Sequence, residues 1–134
     1  MSLYVDSSAL LKRYVDEPDS DAADLLLRSD SSLLTARHPI VEVWRNLARL
    51  VAGRELASVR SAFARDLEVL SIIELDEVTC DGAAQIAEVT GVRTRDALDL
   101  AAAQRIGGPA VPFLTFDVRQ AQAARALGLT VVGT

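Results

Sequence analysis

The chain has 134 residues, of which 50% are apolar and 25% charged, and its formal net charge is −5. That length suits a single domain spanning residues 1–134, large enough for a real hydrophobic core. No apolar run reaches the roughly 18 residues a membrane span needs. The N-terminus lacks the basic segment and long apolar stretch of a signal peptide, and the single Cys80 cannot close an internal disulfide, so a cytoplasmic protein is expected.

Leu3-Tyr4-Val5 reads as a first strand that stops at Asp6, with Ser7 or Ser8 capping a helix through Ala9, Leu10, Leu11 and Tyr14. Pro18 breaks that helix, and a second carries Ala22, Ala23, Leu25, Leu26 and Leu27. Ser32–Ala36 reads as the second strand. Pro39 then suits the first turn of a third helix, in which Ile40, Val43, Trp44, Leu47, Leu50 and Val51 recur at helical spacing. Gly53 punctuates, and a fourth helix from about Glu55 to Leu70 completes a helical hairpin. Ser71–Leu75 is a third strand, and Asp76 caps a fifth helix that Gly91 stops. A sixth helix spans Asp96–Ile106 and ends at Gly107-Gly108-Pro109. Pro112–Phe116 is a fourth strand ending at Asp117, a seventh helix runs to Leu127, and Leu129–Val132 is the last strand. Strands alternating with helices call for an α/β fold, with a mostly parallel sheet, right-handed crossovers and helices on both faces.

Acidic residues carry the chemical signal. Asp6 and Asp117 each follow an apolar strand, where open α/β sheets place their functional crevice. With Ser7 or Ser8 serving as the cap, Asp6 is freed for another role, whereas no serine follows Asp117 to relieve it of capping. Asp96 and Asp99 lie three apart on a helix that is apolar nearly all round, so both share a buried face. Burying carboxylates is costly unless a cation or strong hydrogen bonds offset it, which makes Asp96 the most telling candidate, with a cap and an Arg95 or Arg105 ion pair as the competing reading. Glu42 falls opposite the apolar stripe of its helix, beside Asn46 and Arg49, as an ordinary exposed polar face would. Ser7, Ser8 and Thr115 adjoin the acids and can orient them. His38, before Pro39, reads as structural or surface, and Cys80 has no neighbouring base to make it a nucleophile. A carboxylate cluster with no histidine or cysteine beside it suits a hard divalent cation, Mg²⁺ or Mn²⁺.

The net charge of −5 counts against a nucleic-acid partner. In favour stand acids that a metal would neutralise and a basic complement made of arginine apart from Lys12, because the guanidinium fork matches phosphate geometry. Other α/β chemistries find less support. A phosphoaspartate enzyme would want a lysine near the acid and a second Asp two residues after Asp6, but the one lysine is Lys12. There is no Gly-rich turn after the first strand and no P-loop. A non-catalytic interaction module whose acids are only caps stays open.

Tyr4-Val5-Asp6-Ser7-Ser8-Ala9-Leu10-Leu11-Lys12 resembles the opening of PIN-domain proteins. Val41-Glu42-Val43-Trp44-Arg45 resembles their second acidic motif, Arg95-Asp96-Ala97-Leu98-Asp99-Leu100-Ala101-Ala102-Ala103 the third, and Leu114-Thr115-Phe116-Asp117 the fourth. Each motif is short, but the ordered set spans essentially the whole chain and is most similar to VapC toxins of toxin–antitoxin pairs. The resemblance implies a three-layer α/β/α sandwich on a parallel sheet of about five strands. It implies a Mg²⁺- or Mn²⁺-dependent endoribonuclease that uses one or two ions to activate water against a phosphodiester, leaving 5′-phosphate and 3′-hydroxyl ends. Asp6, Glu42, Asp96 and Asp117 would be the catalytic, metal-holding positions, and Asp99, variable in the family, a further candidate ligand. Ser7 and Thr115 would support them. Arg13, Arg37, Arg45, Arg49 and Arg95 are the nearest candidates to grip RNA. A VapB-type antitoxin covering the site, and a homodimer formed through the hairpin of the third and fourth helices, are the implied partners. A PIN-like module without catalysis is the alternative the same motifs allow.

Overall fold

The computed structural model describes residues 2–29 and 32–134; Met1, at the head of the N-terminal segment read above, lies outside them. Five parallel strands form one sheet in the order β3-β2-β1-β4-β5. They are β1 (Ser2–Val5), β2 (Ser32–Ala36), β3 (Ser71–Ile73), β4 (Phe113–Leu114) and β5 (Val131–Val132). The helices are α1 (Ser7–Leu11), α2 (Ser20–Ser29), α3 (Arg37–Leu50), α4 (Gly53–Leu67), α5 (Glu77–Thr90), α6 (Thr94–Ile106) and α7 (Val118–Ala126), with a 3₁₀ turn at Gly108–Ala110. Among the described residues no helix is long and apolar enough to cross a membrane.

The central strand explains the layering. Successive side chains of a strand point to opposite faces, so β1 serves two cores. Tyr4 points into one, where it stacks on Phe113 with ring centroids 5.2 Å apart and meets Ile86, Leu100, Ala124 and Leu129 from the layer of α5, α6 and α7. Leu3 and Val5 point into the other, with Leu10, Leu27, Val43, Leu47 and Phe63 from the layer of α1 to α4. The Phe63 ring packs edge-on against Trp44 (4.7 Å) and Tyr14 (5.2 Å), which locks the α3–α4 hairpin onto the turn after α1. This is the expected three-layer sandwich.

Local differences from the sequence reading have identifiable causes. The first helix ends at Leu11 rather than continuing through Tyr14, whose hydroxyl donates to Asp66 on α4 at 2.5 Å. The strands expected over Pro112–Phe116 and Leu129–Val132 shrink to two residues each, since only Phe113 and Leu114 pair with Val131 and Val132. Gly91 does end α5, in a left-handed conformation (φ 74°) that a side chain would disfavour.

Strand order decides where a site can form. From β1 the chain moves outward to β2 and β3 on one side, then returns to place β4 and β5 on the other. The reversal lies between β1 and β4, whose Val5 and Leu114 are in register. Crevices in open parallel sheets open at such switch points, beyond the carboxyl ends of the strands. Asp6 and Thr115 are the residues directly past those two ends.

Candidate active and metal site

Asp6 caps α1: its Oδ1 accepts from the Ala9 amide at 2.9 Å and from the Ser8 hydroxyl at 2.6 Å. The expectation that Ser7 or Ser8 would cap and free Asp6 is therefore corrected, because Ser7 is already helical and Ser8 turns back to bond Asp6. The cap role does not exhaust the carboxylate. Its Oδ2 accepts from the Thr115 hydroxyl at 2.5 Å, and the Thr115 oxygen in turn accepts from the Asp117 amide at 3.1 Å. Thr115, fully buried, thus ties the end of β1 to the start of α7, which Asp117 caps by accepting from the Gln120 amide at 3.1 Å.

Asp99 stands at the middle of the cluster. It is 2% exposed, and its Oδ1 accepts from the Tyr4 hydroxyl at 2.5 Å and lies 3.3 Å from His38 Nε2. Gln120, also buried, reaches its Oδ2 at 3.5 Å. Asp96, one turn earlier on α6, is 7% exposed. It sits in the helix's first turn without capping it, with Arg93 Nε at 3.8 Å and Arg95 Nε at 3.9 Å. Arg105, the other partner considered for Asp96, bonds Asp76 instead. Glu42, from α3, is half-buried and pairs with Arg95 Nη1 at 3.0 Å. His38 Nε2 lies 3.0 Å from the Arg95 carbonyl. Ligand atoms of His38, Glu42 and Asp99 all fall within 4.8 Å of one another. Glu42 Oε1 and His38 Nδ1 are buried with no hydrogen-bond partner among the described residues.

The electrostatics follow from burial and crowding of like charge. Burial, then the charge of Asp99, pushes the Asp6 carboxyl up to about 7, although the Ser8 and Thr115 hydroxyls and the Ala9 amide pull the other way. Glu42 is raised for the same two reasons, opposed by Arg95, His38 and Ser7. Asp96 is raised by burial, lowered by Arg95, and raised again by Asp117 and Asp99. For His38 burial is the largest influence and pushes its pKa down. Its bond to Asp99, the charges of Asp99 and Glu42 and the Arg95 carbonyl together outweigh that, so the net change is upward. This is the signature of a site short of positive charge. Buried carboxylates crowd one another, two polar atoms lack partners, and the donors are mainly carboxylate oxygens. A hard divalent cation fits those carboxylate oxygens, would offset their crowded charge and could take up the unpartnered Glu42 Oε1.

A family model described as the PIN domain matches residues 3–126. The chain belongs to the PIN-domain family. Among its curated relatives, Ribonuclease VapC46 of Mycobacterium tuberculosis is 37% identical over 135 residues, covering 98% of this chain and 96% of that protein. Ribonuclease VapC35 of the same species is 37% identical over 134 residues, covering 97% of this chain and 95% of that protein. Among solved structures, FitAcB from Neisseria gonorrhoeae superposes with a TM-score of 0.78 at 18% identity, covering 99% of this chain and 97% of that one. Mycobacterium tuberculosis VapC20, described as a toxin that cleaves the sarcin–ricin loop, gives 0.70 at 20% identity, covering 90% and 94%.

Within this PIN fold the charges of Asp6, Glu42, Asp96 and Asp117 all bear on one cluster, with Asp99 between them. Ser7 and Thr115 fall beside it. Arg45, Arg49 and Arg95 line a cleft with Glu42. Arg13 and Arg37 are placed elsewhere: Arg13 lies 3.8 Å from Asp66 in a cavity under α1, and Arg37 is paired with Glu74. Lys12 faces Glu17 at 3.6 Å and lies over the Phe116 ring, so the lysine a phosphoaspartate chemistry would need is committed outside the cluster. Sequence reasoning missed His38. The one available signal was its position four residues before Glu42, which puts both on one face of a helix.

Proposed function

We propose that this PIN-domain chain is a divalent-metal-dependent endoribonuclease and the toxin of a toxin–antitoxin pair. The observation that carries the reading is the acidic cluster around Asp99 beside the β1/β4 switch point, where burial and the charge of Asp99 raise the carboxyls of Asp6, Glu42 and Asp96 and where Asp117 adds its charge to Asp96. The ribonuclease relatives, aligned over nearly their whole length, support RNA as the substrate.

Those five carboxylates would hold Mg²⁺ or Mn²⁺, as one or two ions. When bound, such a metal supplies Lewis-acid activation of water and neutralises charge building on the phosphate oxygens. The chain's own residues supply order. Ser8 and Thr115 fix both oxygens of Asp6. Tyr4 and Gln120 hold Asp99 from below. Arg95 neutralises Glu42, and its half-exposed guanidinium faces the cleft where a phosphate would arrive. Fixed oxygens on rigid elements lower the reorganisation needed at the moment of reaction.

Partners belong to the same proposal. A VapB-type antitoxin would cover the acidic cluster, as the VapBC complexes among the structural neighbours suggest by analogy. Self-association through the α3–α4 hairpin is consistent with exposed Leu50 on α3.

The test is direct. Purified protein is incubated with total RNA in Mn²⁺, in Mg²⁺ and in EDTA, and the product ends are identified. Discrete fragments with 5′-phosphate ends in metal, absent in EDTA, are expected. A folded protein that leaves every RNA intact in both metals would instead be a PIN module without catalysis.

A further inference from the structure

The acidic cluster lies between two clefts, and each cleft carries arginine. The first, of about 670 Å³ between α3 and α6, is lined by Glu42, Arg45, Asn46, Arg49 and Arg95, with Val41 and Leu98 as its apolar part. The second, of about 460 Å³ between the α5–α6 turn and α7, is lined by Asp96, Arg93, Arg119 and Gln122, with Val89 and Ala123 as its apolar part. Glu42 and Asp96 therefore mark the places where the two clefts meet the cluster.

Most of these arginines are not spent on ion pairs. Arg93 and Arg95 face Asp96 and Glu42, but Arg45, Arg49 and Arg119 have no carboxylate within salt-bridge distance among the described residues. Helical spacing gathers them. Positions 42, 45, 46 and 49 share one face of α3, and 119 and 122 share one face of α7. Asn46 accepts from Arg49 at 3.1 Å and so holds that guanidinium along the cleft. On a chain whose net charge is −5, unpaired guanidinium groups on both flanks of an anionic centre call for an anionic polymer that crosses it. The apolar surface beside the arginines suits bases, since unstacked bases rest on apolar side chains and guanidinium planes, and a paired duplex offers them only phosphates.

We infer that a single RNA strand runs through both clefts, held by Arg45 and Arg49 on one side of the acidic cluster and by Arg119 on the other. This rests on the ribonuclease reading and adds Arg119 and the α7 cleft to the substrate track. Arg60 and Arg65 on α4 provide the control, because they are exposed and line neither cleft.

Binding of labelled single-stranded RNAs of random sequence is measured by fluorescence anisotropy against salt, with Ca²⁺ replacing Mg²⁺ or Mn²⁺. The proteins are wild type, Arg119→Ala, Arg45→Ala/Arg49→Ala, the triple variant and Arg60→Ala/Arg65→Ala, each checked for an unchanged melting curve. On RNA of about twelve nucleotides, Arg119→Ala should reduce the slope of log K against log salt by about 0.7 and the α3 pair by about 1.4, additively, while the α4 pair changes nothing. On RNA of about four nucleotides, too short to fill both clefts, the triple variant should lose less than the sum. Arg119→Ala behaving like the α4 control, full additivity at both lengths, or equal affinity for a duplex would each overturn the track. Cleavage by the wild-type protein in Mn²⁺ is scored separately, so a failed track with intact cleavage leaves the ribonuclease reading standing.

Discussion

Removing the Asp6 charge, by Asp6→Asn, should make the metal-free protein more stable at neutral pH and flatten its pH dependence between 4 and 7. In the folded protein burial and Asp99 raise the Asp6 carboxyl from its ordinary 3.8 to about 7. The folded state therefore keeps a proton across an interval in which the unfolded chain has already released it. Stability falls with rising pH wherever the folded state binds more protons. The loss begins near pH 4 and is complete by about pH 7. A difference of roughly three pH units at 1.36 kcal/mol each amounts to on the order of 4 kcal/mol, reduced by whatever the site relaxes. Glu42, Asp96 and His38 are also raised, and each adds a loss of the same sign as pH climbs through its folded value. Asparagine can keep the Ala9 and Ser8 bonds through its carbonyl, and its amide can donate to Thr115 in place of accepting. Urea denaturation in EDTA from pH 4 to 8 measures the slope for both proteins. Wild type should lose stability steadily up to about pH 7 while Asp6→Asn stays flatter; added Mn²⁺ at a hundred times its dissociation constant should restore about 2.7 kcal/mol to wild type and far less to the variant. A wild-type curve that is flat or rising over this range, or a variant that keeps the full slope, would refute the reasoning.

Three other substitutions probe separate parts of the structure. Asp99→Asn removes the charge that bears on Asp6, Glu42 and Asp96 alike; calorimetry at pH 7 should show Mn²⁺ affinity reduced about tenfold or more while the melting curve stays cooperative, and unchanged affinity would place Asp99 outside the metal site. Gly133→Ala should destabilise by roughly 1–3 kcal/mol, because φ there is +99° and a Cβ would meet the Thr115 carbonyl at 2.5 Å; the same push should displace Thr115 from Asp6, detectable as an altered pH slope. Phe63→Ala, which empties the joint between Tyr14 and Trp44, should cost about 3–5 kcal/mol in chemical denaturation; a loss below about 1 kcal/mol would mean the hairpin does not depend on that ring.

How far the residues announce this site depends on how local each signal is. Asp6 and Asp117 are legible because a strand end is a local event and the sheet's switch point then brings them together. Asp96 and Asp99 are legible as a buried pair because their helix is apolar nearly all round. Glu42 is not, since its spacing reads as a solvated face, and only the packing of α3 against the start of α6 supplies Arg95 as its partner. His38 is hidden for the same reason: what it touches, Asp99 and the Arg95 carbonyl, lies more than fifty residues away. The arginines divide similarly. Nothing near Arg37 in the chain foretells Glu74, and nothing near Arg119 foretells Asp96 in the same cleft. The shortness of β4 and β5 is also nonlocal, fixed by how few residues of each find a ladder partner.

The central claim is that the carboxylate cluster cuts RNA, and induced expression in a bacterial host tests it most directly. Wild type and Asp96→Asn are expressed at equal levels and RNA 5′ ends are mapped across the transcriptome. Growth arrest with new 5′-phosphate ends at recurring sites, in wild type and not in Asp96→Asn, is the expected result. The same new ends appearing with both proteins, or growth arrest with no new ends, would contradict the claim.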